Sequence, residues 1–195
     1  MIRYAITSGS YLTGDAARLA SDGIDYIQLR DKLQPAGELA TLARSILAEI
    51  ASVPNAPTRL LINARPDIAK AVTISFGIPV GVHLTSAPNE LTPPQVREIF
   101  GPKLQGIIVS ISCHTLDEVA QAHTLGVDFI LFGPVFEKRV ARQFITDGSG
   151  LDMLRRAVLA AAGTPVLALG GITHENTAAC LEAGASGIAA IRLFA

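Results

Sequence analysis

Short apolar runs lacking period-two polarity alternate with longer stretches in which apolar residues return every three or four positions, and the alternation persists along the whole chain. The runs at 4–7, 24–29, 59–63, 80–84, 106–110, 129–132, 166–169 and 187–191 read as strands buried on both faces. Between them, helical spacing predicts helices over 13–20, 35–53, 66–76, 93–100, 115–125, 151–162 and 174–183. In 35–53, Leu39, Leu42, Ala43, Ile46, Leu47 and Ile50 share one stripe, with Pro35 at its start and Pro54 and Pro57 beyond its end. Thr13 and Thr115 occupy N-cap positions, and Glu118 completes a capping box with Thr115.

One phrase recurs at Gly23, Gly126 and Gly184: a helix-ending glycine, a small connector and then an apolar strand. It marks a repeated βα unit, and eight such strands in succession suit a closed (β/α)8 TIM barrel better than a doubly wound sheet. The whole chain, residues 1–195, reads as one domain. No eighth helix follows the last strand, so Ile188, Ala190, Leu193 and Phe194 are expected to need cover. A homodimer is the simplest cover, and a rearranged terminus is the alternative.

Composition narrows the partners. Hydrophobic residues make up 49% and charged ones only 17%, which fits extensive buried sheet and helix surface. A net charge of −1 and a pI near 6.4, with basic residues scattered, give no footprint for nucleic acid or a membrane. No apolar run approaches the roughly 18 residues needed to span a bilayer, and the N-terminus enters a strand directly, so a cytoplasmic location is expected. Cys113 and Cys180 suggest neither a disulfide framework nor a zinc site.

In such a barrel, chemistry sits at the C-terminal ends of the strands. The stretch from Val166 to Asn176 is a buried strand, the Gly170-Gly171 turn and then a helix opened by Thr173 or His174. Glycines there let an anion approach backbone N–H groups at a helix N-terminus, and the last strand ends close by at Ile191 and Arg192. A plain tight turn that happens to contain two glycines is the other reading. Gln28, Arg30 and Lys32, with Asn63 and Arg65, form a set able to hold an anionic substrate, although a rim salt bridge, for instance Arg30 with Asp31 or Asp67, is the other reading. His83 reads as a hydrogen-bonded core or wall residue. Cys113 beside His114 is not a nucleophile pair, because adjacent residues rarely face each other. No His, Asp or Glu cluster has metal spacing.

Several motifs resemble the thiamin phosphate synthase and TenI-like thiazole tautomerase superfamily. Ile27-Gln28-Leu29-Arg30-Asp31-Lys32 resembles its IQLREK, Leu60-Leu61-Ile62-Asn63 its LIIND, and Gly81-Val82-His83-Leu84 its GVHL. Ser112-Cys113-His114 matches SxH, Phe132-Gly133-Pro134-Val135-Phe136 matches FGPVF, and Gly170-Gly171-Ile172 matches GGI. The resemblance implies a (β/α)8 barrel. It also implies a substrate site using Gln28, Arg30, Lys32, Asn63, Ser112 and Gly133, and a phosphate site using Gly170, Gly171, Ile191 and Arg192.

The departures are as informative. Where synthases carry carboxylates for Mg2+, this chain has Ala64 and the segment Thr85-Ser86-Ala87-Pro88, so the magnesium expected of synthases has lost those ligands. The segment after GPVF is altered too, to Glu137-Lys138-Arg139-Val140-Ala141-Arg142. Asn63-Ala64-Arg65 is closer to the tautomerase branch, but Pro134 stands where that branch is expected to place its histidine. Glu137 or His114 could then act as general base. The leading expectation is a thiamin-pathway enzyme that binds a thiazole phosphate and isomerises it or couples it to a pyrimidine pyrophosphate. The alternatives are a binding protein that has lost the reaction, or a barrel acting on another phosphorylated heterocycle.

Overall fold

The computed structural model describes residues 1–7, 14–87, 89–104, 106–140 and 143–194, with the backbone alone for 138–140 and 143–146. In chain order the strands are β1 (Ile2–Ile6), β2 (Tyr26–Leu29), β3 (Arg59–Asn63), β4 (Gly81–Thr85), β5 (Val109–Cys113), β6 (Phe129–Phe132), β7 (Lys138–Val140), β8 (Gln143–Thr146), β9 (Val166–Leu169) and β10 (Gly187–Ala190). The helices are α1 (Asp15–Ser21), α2 (Ala36–Ala51), α3 (Pro66–Phe76), α4 (Pro93–Phe100), α5 (Leu116–Thr124), α6 (Gly150–Ala160) and α7 (His174–Glu182). Strands β1 to β6, then β9 and β10, run parallel as neighbours, and β10 pairs back onto β1 to close the barrel. The (β/α)8 expectation holds, and a doubly wound sheet is excluded.

Alternation along each strand divides the core in two. Tyr4, Ile6, Leu61, Phe129, Leu131, Leu167 and Ala189 meet inside the barrel, while the outward residues pack beneath the helices. The α2 stripe is one such packing face: Leu39, Ala43, Ile46 and Leu47 are buried. Register sets the inner column, with Asn63 opposite His83, His83 opposite Ser110, and Thr85 opposite Ser112. The interior is therefore apolar low in the barrel and polar toward the C-terminal mouth.

Local chemistry explains the helix starts. Thr115 with Glu118 and Thr173 with Asn176 form capping boxes at α5 and α7. Thr13 lies outside the described residues. The residue just before α1 is Gly14, and the Glu49 carboxylate reaches over from α2 to accept from the N–H groups of Gly14 (3.0 Å) and Ala16 (3.1 Å).

One strand shifts from its expected place, one hairpin is added, and the opening between the first and last strands takes the second of its two expected covers, the chain's own terminus. The fifth strand spans Val109–Cys113 rather than 106–110, because Ile107 and Ile108 form the apolar approach to the barrel while the ladder starts at Val109. Ser110 is therefore mid-strand and fully buried, and Ser112 stands nearer the mouth. The antiparallel hairpin β7–β8 was not anticipated, since its residues lack the apolar run of a barrel strand. The expected opening between the first and last strands is filled from within the chain. Leu193 and Phe194 pack against the outer core, Arg18 Nη2 donates to the Phe194 carbonyl at 2.9 Å, and Ile188 and Ala190 are buried. No helix among the described residues is long and apolar enough to cross a membrane.

Candidate functional site

The polar upper layer of the barrel is hydrogen-bonded internally. Gln28 Nε2 donates to Asn63 Oδ1 at 2.8 Å, while Gln28 Oε1, on a side chain only 1% exposed, has no partner among the described residues. His83 lies with Nδ1 2.8 Å from Ser110 Oγ and Nε2 2.9 Å from Ser112 Oγ. Burial, reinforced by the Arg30 charge, pushes the His83 pKa down to about 3 and keeps its ring neutral. His83 is thus the hydrogen-bonded wall residue expected.

His114 continues the inward parity of Ser110 and Ser112 but lies exposed at the end of β5. Its Nδ1 pairs with the Gly133 carbonyl oxygen, which can only accept. The neutral ring is therefore the Nδ1–H tautomer, and Nε2 keeps a lone pair able to take a proton. The His114 backbone N–H donates to Glu118. Burial alone would raise the Glu118 pKa, but hydrogen bonds from His114, Ser86 and Thr115 hold it below the usual carboxylate range. Cys113 faces the other way, fully buried, with its thiol pushed up to about 12 by burial and then by the Glu118 charge. Its burial bears out the rejection of Cys113 as a nucleophile.

Gly133 brings the imidazole anchor beside the glycine turn. A Cβ there would lie 2.1 Å from the Leu169 carbonyl oxygen, so only glycine lets the end of β6 approach β9 this closely. Gly170 and Gly171 have φ of +93° and +65°, which glycine adopts without strain. The turn's carbonyls are all engaged: Leu169 O accepts from Val135 N (2.8 Å), Gly170 O from Phe136 N (3.1 Å) and Gly171 O from Asn176 Nδ2 (2.9 Å). Among the described residues, the N–H groups of Gly171 and Ile172 go to no protein acceptor. The capping box already uses the Thr173 and Asn176 N–H groups, so the open donors belong to the turn itself rather than to the first turn of α7. Ile191 is half-buried and Arg192 exposed just past β10.

The cations divide. Arg30 is half-buried and Lys32 exposed after β2, and neither forms an ion pair among the described residues. Arg65 instead holds Asp67 in a two-pronged contact, Nε to Oδ1 at 2.9 Å and Nη2 to Oδ2 at 2.6 Å. That hydrogen bonding raises the Arg65 pKa and lowers that of Asp67. The rim salt bridge expected of Arg30 is not formed among the described residues, and Asp67 pairs with Arg65 instead. Glu137 is exposed just beyond β6, and its carbonyl backs Gly171. Sequence reasoning missed Tyr4, whose fully buried hydroxyl inside the barrel has no hydrogen-bond partner among the described residues. Its inward parity with Ile2 and Ile6 was the available signal.

The magnesium implied by the resemblance does not fit these residues. Ala64, Thr85 and Ser86 offer no carboxylate; Asp67 is committed to Arg65, and Glu118 to hydrogen bonds with its neighbours. Among the described residues no three His, Cys, Asp or Glu side chains gather as a metal site. A hard dication needs several oxygen ligands, carboxylates foremost.

A family model described as thiamine monophosphate synthase matches residues 4–194. A thiamine-phosphate synthase of Moorella thermoacetica is 34% identical over 169 residues, covering 87% of this chain and 73% of that one. Another, from Caldanaerobacter subterraneus subsp. tengcongensis, is 33% identical over 194 residues, covering 96% and 83%. Among solved structures, the thiamine phosphate pyrophosphorylase of Pyrococcus furiosus superposes with a TM-score of 0.77 at 26% identity, covering 97% of this chain and 85% of that one.

Proposed function

Because the chain belongs to the thiamine monophosphate synthase family, we propose that it binds a thiazole phosphate at the barrel mouth and moves a proton on that heterocycle with His114 as base. The observation that carries this reading is the His114 imidazole, fixed by the Gly133 carbonyl, with Nε2 making no hydrogen bond among the described residues. The phosphate is held by the Gly171 and Ile172 N–H groups, with Ile191 and Arg192 at the neighbouring strand end. Gln28, Asn63 and Ser112 line the heterocycle's side of the mouth, and Arg30 and Lys32 supply positive charge.

Tautomerisation removes a proton at one position and returns one at another, so no pyrophosphate leaves and no metal is required to neutralise one. His114 Nε2 accepts the first proton; the resulting imidazolium is stabilised by the Gly133 carbonyl and can give a proton back. Glu137, the other candidate base, is exposed just beyond β6. The protein acts in the cytoplasm on small phosphorylated substrates.

A second reading, coupling of the thiazole phosphate to a pyrimidine pyrophosphate, is favoured by Arg30 and Lys32 and by Gln28 Oε1, which among the described residues have no ion pair and no hydrogen-bond partner respectively. One assay separates the two. Purified protein is incubated with thiazole phosphate tautomer in D2O with chelator and followed by proton NMR, and in parallel with pyrimidine pyrophosphate and magnesium while released pyrophosphate is measured. Isomerisation in chelator, reduced on the order of 100-fold or more in His114→Gln, is expected. Pyrophosphate release without isomerisation supports coupling. Binding without either reaction supports the non-catalytic alternative.

A further inference from the structure

Asp31 lies between two cations in the chain and pairs with neither. Its Oδ1 accepts from the backbone N–H groups of Leu33 (3.0 Å) and Gln34 (3.3 Å), closing a turn just past β2. Among the described residues, the side chains of Arg30 and Lys32 make no hydrogen bond and no ion pair, with Asp31 or with any other carboxylate. A carboxylate free to swing could screen either cation. Held by two backbone N–H groups, this one leaves both open to a ligand.

Burial does not hold this turn. Leu33 is 94% exposed, and Lys32 and Pro35 are exposed beside it. Hydrogen bonds at its two ends hold it instead: the Arg30 N–H donates to Thr7 Oγ1 at 2.9 Å, and Asp31 closes the far end. Lys32 is the residue enclosed between them, so the direction in which its side chain leaves the backbone follows from the Asp31 contact. Without that contact an exposed lysine spreads over many backbone and rotamer states, and an anion must order them on binding.

We propose that Asp31 is a positioning residue: it fixes the turn that carries Lys32, so that Lys32 stands with Arg30 as one pre-arranged pair of cations for a phosphoryl group of the ligand. The ligand half of this inference rests on the reading of Arg30 and Lys32 as the positive charge of the mouth, whereas the turn half concerns the free protein. Two substitutions separate geometry from charge. Asp31→Asn keeps the Oδ1 acceptor and Asp31→Ala removes it, while both delete the negative charge, so a purely electrostatic role makes the two bind an anion alike. The test is calorimetric binding of inorganic pyrophosphate, in chelator near neutral pH, to the wild-type protein, both variants, Lys32→Ala and the double variant of Asp31→Ala with Lys32→Ala. Asp31→Asn should bind at least as tightly as the wild type and Asp31→Ala about tenfold more weakly than Asp31→Asn, the scale of one misplaced hydrogen bond to a charged group. Lys32→Ala should weaken the wild type by a similar factor and add little in the Asp31→Ala background, because that lysine is already misplaced there. In amide hydrogen exchange, the Leu33 and Gln34 N–H groups should be protected in the wild type and in Asp31→Asn and should exchange freely in Asp31→Ala. Equal affinities for the two Asp31 variants, fully additive effects of Asp31→Ala and Lys32→Ala, or unprotected Leu33 and Gln34 amides in the wild type would each overturn the proposal. Absence of pyrophosphate binding to the wild type overturns its ligand half, and binding of thiazole phosphate to the same protein decides the functional reading separately.

Discussion

Acid should weaken this protein through His83 in a way that one substitution isolates. The ordinary histidine pKa is 6.5, and burial inside the barrel lowers it to about 3. Between those values the unfolded chain binds a proton that the folded chain refuses, so stability falls as pH falls. The His83 contribution is fully present above pH 6.5 and is lost progressively toward pH 3, at up to about 1.4 kcal/mol per pH unit. His83→Gln removes the titrating group while keeping a polar side chain that can reach the two serines. At pH 7 the variant should be the less stable, by about 2 kcal/mol for two perturbed buried hydrogen bonds. Other acid-sensitive groups act on both proteins alike, so on going from pH 6.5 to pH 4 the difference should move by about 3 kcal/mol in the variant's favour and change sign, leaving the variant about 1 kcal/mol the more stable. Urea unfolding of both proteins at pH 7, 6, 5 and 4 measures that gap. A difference constant across the series would refute the claim that His83 is neutral in the fold.

Other substitutions probe separate parts of the account. Gly133→Ala places a methyl 2.1 Å from the Leu169 carbonyl and must part β6 from β9, costing about 3 kcal/mol; a wild-type melting temperature would contradict this. Cys113 and Cys180 are fully buried with raised thiol pKa values, so neither should react with a thiol reagent at pH 8 until urea unfolds the chain. Phe194→Ala should cost about 1–2 kcal/mol by unsealing the strand seam, seen as a lowered urea midpoint; an unchanged midpoint would mean that the terminus adds nothing.

The barrel was legible because its strands are apolar on both faces and its helices carry a single apolar stripe, two patterns that periodicity separates. Periodicity could not place the fifth strand, since Ile107 and Ile108 are as apolar as the ladder residues that follow them. The β7–β8 hairpin escaped for the opposite reason, being a polar excursion with no buried face to announce it. At the site, parity of Gln28 with Arg30 and of Ser112 with His114 could be read directly from spacing. The pairing of Arg65 with Asp67 could not, because two residues' separation at a loop-to-helix junction does not fix whether side chains meet. The His114 tautomer likewise depends on the carbonyl of Gly133, 19 positions away in sequence and adjacent only once β5 and β6 are paired.

The central claim is a metal-independent thiazole phosphate site at the mouth of the barrel. Urea unfolding in the presence of chelator, with and without thiazole phosphate at a hundred times its Kd, tests it most directly. A stabilisation of about 2.7 kcal/mol that magnesium leaves unchanged is predicted. No stabilisation, or stabilisation that appears only when magnesium is added, would contradict it.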